Sequence, residues 1–145
     1  MMEKEISKII GNYSEDQVKD IKFSFDLVEE SSDTIIVTPV GSINSYNTVF
    51  FQNTMEQLID NGYKNLVFNM SSTKYVSAVG LGSFIHVSEK AKGLLGRISL
   101  NNMQKQVLNI FQLPGFSDYF SIDTDAGSAV LRNDYKNKVA DQDDF

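Results

Sequence analysis

YVSAVGLGSF, Tyr75 to Phe84, is the stretch on which the reading of this fold turns. Ser77 stands where a helix N-cap belongs, since its hydroxyl can accept from a backbone N–H one turn on. Behind it Leu81, Phe84, Ile85, Ser88 and Ala91 share one helical face, and the run stops at Gly93–Gly96. Gly80 and Gly82 are unusual in a first turn, where each costs about 1 kcal/mol relative to alanine. Glycine there lets another backbone or a ligand come close. The segment supports two readings. One is tight packing of the helix start on its own sheet. The other is a contact surface around a helix N-terminus, a place that favours anions.

Upstream, Asn65–Met70 (NLVFNM) is a short apolar run with little alternation, the pattern of a central strand covered on both faces. Ser71–Val76 between them reads as a loop. Asn44 to Gly62 reads as a helix, capped by Ser45, with Phe51, Met55, Leu58 and Ile59 as its apolar stripe and Asn61-Gly62 as its stop. Before that the period is two. Ile21, Phe23, Phe25 and Leu27 alternate with Lys22, Ser24 and Asp26, and a second strand runs from Thr34 to about Ile43 across the polar turn Glu29–Asp33. These two runs read as a hairpin. Residues 1–20 read as an N-terminal extension, helical by the spacing of Ile6, Ile9, Ile10 and Tyr13.

Downstream, Arg97–Asn101 is a strand and Gln104–Leu113 a helix with Val107, Leu108 and Phe111 on one face, ended by Pro114-Gly115. Tyr119–Ile122 reads as a short strand. Asp123 to about Lys136 reads as a last helix with Ala126, Ala129 and Val130 inward, and residues 136–145 as an acidic, frayed tail. The order β-β-α-β-α-β-α-β-α gives an α/β fold with right-handed crossovers. It is a mixed, largely parallel sheet with helices packed on it, a single domain over residues 21–135.

Composition narrows the chemistry. The 145 residues contain no cysteine and one histidine, His86. Disulfides, thiolate zinc sites and cysteine nucleophiles are thereby excluded, and no metal site is expected. The formal net charge is −6, from 13 Lys+Arg against 19 Asp+Glu, which gives no basic face for nucleic acid. No segment approaches a membrane span, and the first 13 residues lack the pattern of a signal peptide. The expectation is a cytoplasmic protein.

In this class of fold chemistry gathers at the carboxyl ends of parallel strands. Here those positions are Gly41–Ser45, Ser71–Gly82, Asn101–Lys105 and Ile122–Ala126. They hold Asn, Ser, Thr and Gly, with Asp123 and Asp125 the carboxylates. There is no paired acid and base, no nucleophile beside a histidine and no glycine-rich phosphate loop. His86 falls inside a helix. Neither an enzyme nor a cofactor is indicated.

These residues resemble the STAS domain family, the fold of bacterial anti-sigma factor antagonists. Gly41-Ser42-Ile43-Asn44 stands where the family typically has G-E-L-D. Asn65–Ser71 resembles its central strand, commonly vvlDls. Tyr75–Gly82 resembles its signature y-[IMV]-D-S-[ST]-G-[LI]-G, and Arg97–Gly115 its closing section. The likeness covers about residues 21–135. It implies binding to a serine-kinase-type anti-sigma factor, which frees a sigma factor for transcription and can phosphorylate the serine that opens the signature helix. Aligning G-L-G with Gly80-Leu81-Gly82 puts Ala78 on that serine, Ser77 on the preceding aspartate and Val79 on the second hydroxyl residue. Asn44 replaces the last aspartate of G-E-L-D.

The resemblance therefore implies an antagonist-like protein not switched at the usual position; a separate reading makes a neighbour, Ser77, Thr73 or Ser83, a shifted acceptor, although plain capping is the first role of Ser77. The implied contact surface is Asn44, Ser45, Ser72, Thr73, Ser77, Ala78, Val79, Gly80 and Ser83. The alternative is a diverged STAS scaffold or sensor that binds another STAS protein, a small ligand or a second copy of itself as a homodimer. The charge excess splits as −2 in residues 1–20, −2 in residues 21–132 and −2 in residues 133–145. The body of the domain is thus close to neutral.

Overall fold

The computed structural model describes residues 13–123. Six strands form one mixed sheet: β1 (Ile21–Leu27), β2 (Thr34–Ile43), β3 (Asn65–Asn69), β4 (Thr73–Val76), β5 (Arg97–Asn101) and β6 (Ser121–Asp123). Its order is β1-β2-β3-β5-β6, with β4 added to β2. β1 and β2 are antiparallel, from Ile21 opposite Gly41 to Leu27 opposite Ile35. Every other pairing is parallel. Three helices, α1 (Thr48–Asp60), α2 (Ala78–Gly93) and α3 (Lys105–Phe111), connect the parallel strands. The α/β class and the mixed, largely parallel sheet are those read from the sequence. The crossovers advance along the sheet in one direction, so right-handed connections set the helices on the same face.

The core lies between that face and the helices. Phe51, Phe68, Phe84, Phe111 and Ile35 are fully buried, with Leu66, Met70 and Leu100 beside them. Phe84 of α2 is its centre. Its ring lies 4.7 Å from Phe51, 5.1 Å from Phe68 and 5.1 Å from Phe111, centroid to centroid. Tilted and edge-on pairs at these spacings add about 0.5–1.5 kcal/mol each beyond the area they bury. An ion pair of 2.9 Å between Lys90 and Asp60 joins the far ends of α2 and α1. Asp60 raises the Lys90 ammonium above its ordinary value, through their hydrogen bond first and its charge as well.

Several boundaries differ from the sequence reading, each for a physical reason. Residues 73–76 are a strand, not part of a loop. β3 pairs β2 only as far as Val37, so the outer half of β2 needs another partner. β4 supplies it, setting Gly41 beside Thr73, Ser42 beside Tyr75 and Ile43 beside Val76, with an irregularity between Gly41 and Ser42. Helix α1 starts at Thr48 rather than Asn44, because Asn44–Asn47 form a turn. Alternation in β1 fails at its end, where Leu27 is 60% exposed and the next residue, Val28, takes the buried place. Tyr119 belongs to a 3-10 turn, Ser117–Tyr119, so β6 begins at Ser121. The expected helices over residues 1–20 and 123–136 and the expected tail over 136–145 lie outside the described residues, apart from Tyr13–Asp20 and Asp123. Within Tyr13–Asp20 a 3-10 turn spans Asp16–Val18.

Candidate functional site

The starts of α1 and α2 lie side by side at the carboxyl end of β2. Ser77 caps α2 as the sequence predicts. It is extended (φ −79°, ψ 170°), and its Oγ accepts from the Gly80 N–H at 3.0 Å. Its own N–H donates to the Ile43 carbonyl at 2.9 Å, so the cap is sewn to the tip of β2. Gly80 explains the glycine in this first turn. A Cβ there would stand 2.9 Å from both the Ile43 carbonyl oxygen and its Cγ2. Gly82 shows no such need, because a Cβ built on it meets nothing within 4 Å. Of the two glycines one is therefore explained by close packing.

The start of α1 is built differently. Asn44 Oδ1 accepts from the N–H groups of Tyr46 at 2.9 Å and Asn47 at 3.1 Å. Asn47 Oδ1 accepts in return from the Asn44 N–H at 2.9 Å. The Asn47 amide then donates to the carbonyls of Lys19 at 2.8 Å and Ser42 at 2.9 Å. Asn47 is fully buried, and in this way both its amide hydrogens and its oxygen have partners. Gly41 permits the same approach, since at φ +115° a Cβ would lie 2.1 Å from the Asp20 carbonyl oxygen. Ser45, expected to cap this helix, is exposed and makes no cap. Asn47 was missed because it sits inside the predicted helix. The Asn44–Asn47 spacing of three, suited to reciprocal side chain–backbone bonds, was its signal.

The nine residues of the expected surface divide by depth. Ser45, Ala78 and Val79 are exposed, and Asn44, Ser72 and Ser77 are half-buried. Thr73, Gly80 and Ser83 lie beneath the surface. The Thr73 hydroxyl donates to the Pro39 carbonyl at 3.0 Å, and the Ser83 hydroxyl is hydrogen-bonded to Thr48, fixing α2 to α1. These three act as supports rather than as contact points. The surface gains residues that the sequence reading left out: Tyr46 is 67% exposed, Val49 49% and Tyr75 51%, next to Val79 at 54%. Their positions beside caps, outside any buried stripe, were the available signal.

The exposed set carries no charge. The acid with a clearly displaced titration among the described residues, Asp33, lies at the opposite end of the sheet. Burial raises its pKa, but hydrogen bonds from Ser31, Thr34 and Asn65 and the charge of Lys64 outweigh this and hold it below the ordinary carboxylate value. His86 is exposed on α2. Among the described residues no group of three His, Cys, Asp or Glu side chains is placed to hold a metal ion, and no helix is long and apolar enough to cross a membrane. What this arrangement offers is a neutral, partly apolar surface over two helix starts held rigid from below.

Comparison with known proteins agrees with this geometry. The STAS domain family model matches residues 27–129. The anti-sigma-B factor antagonist of Bacillus subtilis is 22% identical over 103 residues, covering 71% of this chain and 94% of that protein. The solved structure of the anti-sigma factor antagonist SpoIIAA in its unphosphorylated form superimposes with a TM-score of 0.62 at 15% identity, over 78% of this chain and 97% of that one. An anti-sigma factor antagonist from Mycobacterium paratuberculosis gives a TM-score of 0.62 at 16% identity, over 77% and 94%.

Proposed function

Because this chain belongs to the STAS domain family, we propose that it is a regulatory binding domain of the anti-sigma factor antagonist kind. Its partner is a serine-kinase-type anti-sigma factor, and binding relieves inhibition of a sigma factor. The role is recognition, with no catalytic residue. The single observation that carries the finer reading is Ala78. It is the first residue of α2, exposed, directly after the Ser77 cap, and it offers no oxygen where the family resemblance places the phosphoacceptor. A phosphate adds about −1.5 to −2 charges and would disrupt an apolar contact by desolvation alone. Without an acceptor there, the partner's kinase activity does not end the interaction. Ser77, the neighbouring hydroxyl, is half-buried and already holds the cap.

The surface then includes Ser45, Tyr46, Val49, Tyr75, Ala78 and Val79, supported by Asn44, Ser72 and Ser77. The test is binding of the full chain to anti-sigma kinases from its own genome, with and without ATP, followed by intact-mass measurement. The expected outcome is a complex that survives ATP, with no phosphate on the native chain. Ala78→Ser is expected to gain a phosphate and lose the complex. Val79→Asp is expected to weaken binding about tenfold or more, as for a central apolar contact. A phosphate mapped to Ser77 sinks the unswitched reading. Recovery of other STAS proteins in place of a kinase replaces it with a scaffold.

A further inference from the structure

The strands that border the sheet are unequal. β4 and β6 have four and three residues. β1 has seven, IKFSFDL, with no proline, and its register with β2 runs from Ile21 to Leu27 without irregularity. Among the described residues β2 is its single strand partner. The stem before it, Tyr13–Asp20, packs on α1 instead. Its Tyr13 ring meets Phe50 edge-on at 5.3 Å between centroids, and the Tyr13 hydroxyl accepts from Asn53 Nδ2 at 2.7 Å. A long, regular border strand of this kind is a template for a further strand.

Three observations fix which of its backbone groups face outward. The Ser42 N–H donates to the Asp20 carbonyl at 2.8 Å, the Gly41 N–H turns away from β1 to the Ser72 carbonyl at 3.0 Å, and Pro39, which has no N–H, stands opposite Phe23. Antiparallel ladders alternate, so Lys22, Ser24 and Asp26 bond to β2, while Ile21, Phe23, Phe25 and Leu27 present their N–H and C=O groups at the border. The side chains of β1 read alike from both ends: apolar, cation, aromatic, serine, aromatic, anion, apolar. About Ser24, Lys22 is mirrored by Asp26. Lys22, Ser24 and Asp26 are exposed, and so is Leu27, an apolar side chain at 60% exposure.

We propose that β1 pairs antiparallel with β1 of a second copy of this chain, across a two-fold axis at Ser24, joining two sheets into one. In that register Phe23 meets Phe25 of the other copy and Ile21 meets its Leu27, the outward backbone groups exchanging hydrogen bonds both ways. Lys22 stands directly opposite Asp26 twice over, at the positions where cross-strand side chains come closest. Charge selects this register. Centred on Phe23 the pairing would set Lys22 against Ser24, and centred on Phe25 it would set Asp26 against Ser24. A strand pair of this length buries less than the about 1,200 Å² of a standard interface, so the dimer forms in the micromolar range rather than below it.

The test needs no anti-sigma factor, so its outcome is independent of the function proposed above. Sedimentation equilibrium of the full chain is expected to show a dimer gaining weight between about 5 µM and about 500 µM. Over the same range the Phe23 and Phe25 amides are expected to become protected from hydrogen exchange, while those of Lys22 and Ser24, bonded to β2, are protected throughout. Lys22→Asp or Asp26→Lys alone sets like charges opposite one another and is expected to weaken the dimer about tenfold. Lys22→Asp combined with Asp26→Lys keeps the mirrored pattern with its signs exchanged and is expected to restore it. A chain that stays monomeric throughout overturns the proposal. So does a dimer in which Phe23 and Phe25 remain unprotected, or one in which the double reversal is no tighter than the single ones.

Discussion

The two helix starts at the candidate surface are neighbours, yet they are secured by opposite means. α2 begins with one serine cap and then relies on contact: Gly80 sits against Ile43 with no room for a methyl group. α1 begins with a hydrogen-bonded turn, in which Asn47 binds Asn44, Ser42 and the stem at Lys19. The α2 start therefore answers to volume, and the α1 start answers to polar pairing. A further difference is reach. Ser77 and Gly80 tie α2 to β2, whereas Asn47 ties α1 to β2 and to a segment 28 residues earlier.

The contrast is most easily broken at Asn47. Asn47→Ala removes three buried hydrogen bonds and leaves the Lys19 and Ser42 carbonyls without that donor. At about 1 kcal/mol for each bond, the expected loss is about 3 kcal/mol in urea unfolding. Trypsin is also expected to cut after Lys19 faster than in the native chain. Unchanged cleavage would show that Tyr13 and the bond from the Ser42 N–H to the Asp20 carbonyl hold residues 13–20 without Asn47. Gly80→Ala is expected to cost about 2 kcal/mol, as overpacking does, while leaving cleavage at Lys19 unaltered. A neutral result would mean that α2 slides on β2 and that volume does not govern its start.

Ser77→Ala is expected to cost about 1 kcal/mol, with Ser77→Asp recovering most of it, since either side chain accepts the Gly80 N–H and an acid suits a helix start. Failure of aspartate to rescue would assign the serine something beyond capping. The smallest effect is expected away from both helices. Asp33 has its pKa lowered in the fold, so its stabilising contribution is present above the unfolded value near 4 and fades as pH falls through the folded value. Asp33→Asn is expected to lose under about 1 kcal/mol at pH 7, and progressively less as the pH falls below the unfolded value. A pH-independent loss would remove the charge from the explanation.

The periodic elements were readable because burial imposes a period. β2 and β5 carry their expected bounds, and β3 falls one residue short of its run. Ser77 was legible as a cap because a hydroxyl before an apolar helical face has few other uses. β4 was not legible. Only four residues long, it buries Thr73 and Val76 and exposes Lys74 and Tyr75, which is no strand period. It exists because β2 outruns β3. Within Tyr75–Gly82 the helix start behind the Ser77 cap was readable, but the depth of Thr73 and Ser83 was not. Their hydroxyls satisfy partners 34 and 35 residues away, a matter of tertiary pairing that local spacing does not encode. Tyr46 and Val49 were overlooked for a related reason, because a helix read from Asn44 absorbs them into its turns.

The pairing of β4 with the outer half of β2 also orders events in time. β1 meets β2 through a short turn, so that hairpin can close early. The tip of β2 has to wait for a partner about thirty residues further along, Gly41 for Thr73 and Ile43 for Val76. The β2–β3 ladder closes a loop of about the same length, so the two differ in yield: four regular pairs from Thr34 to Val37, against three pairs with an irregularity at the tip. The native protein is expected to reopen in the reverse order, the β2–β4 ladder exchanging its amide hydrogens before the β2–β3 ladder does. Equal protection of the two ladders would contradict this. The end of the sheet beneath the proposed surface is then expected to be late to close and early to open.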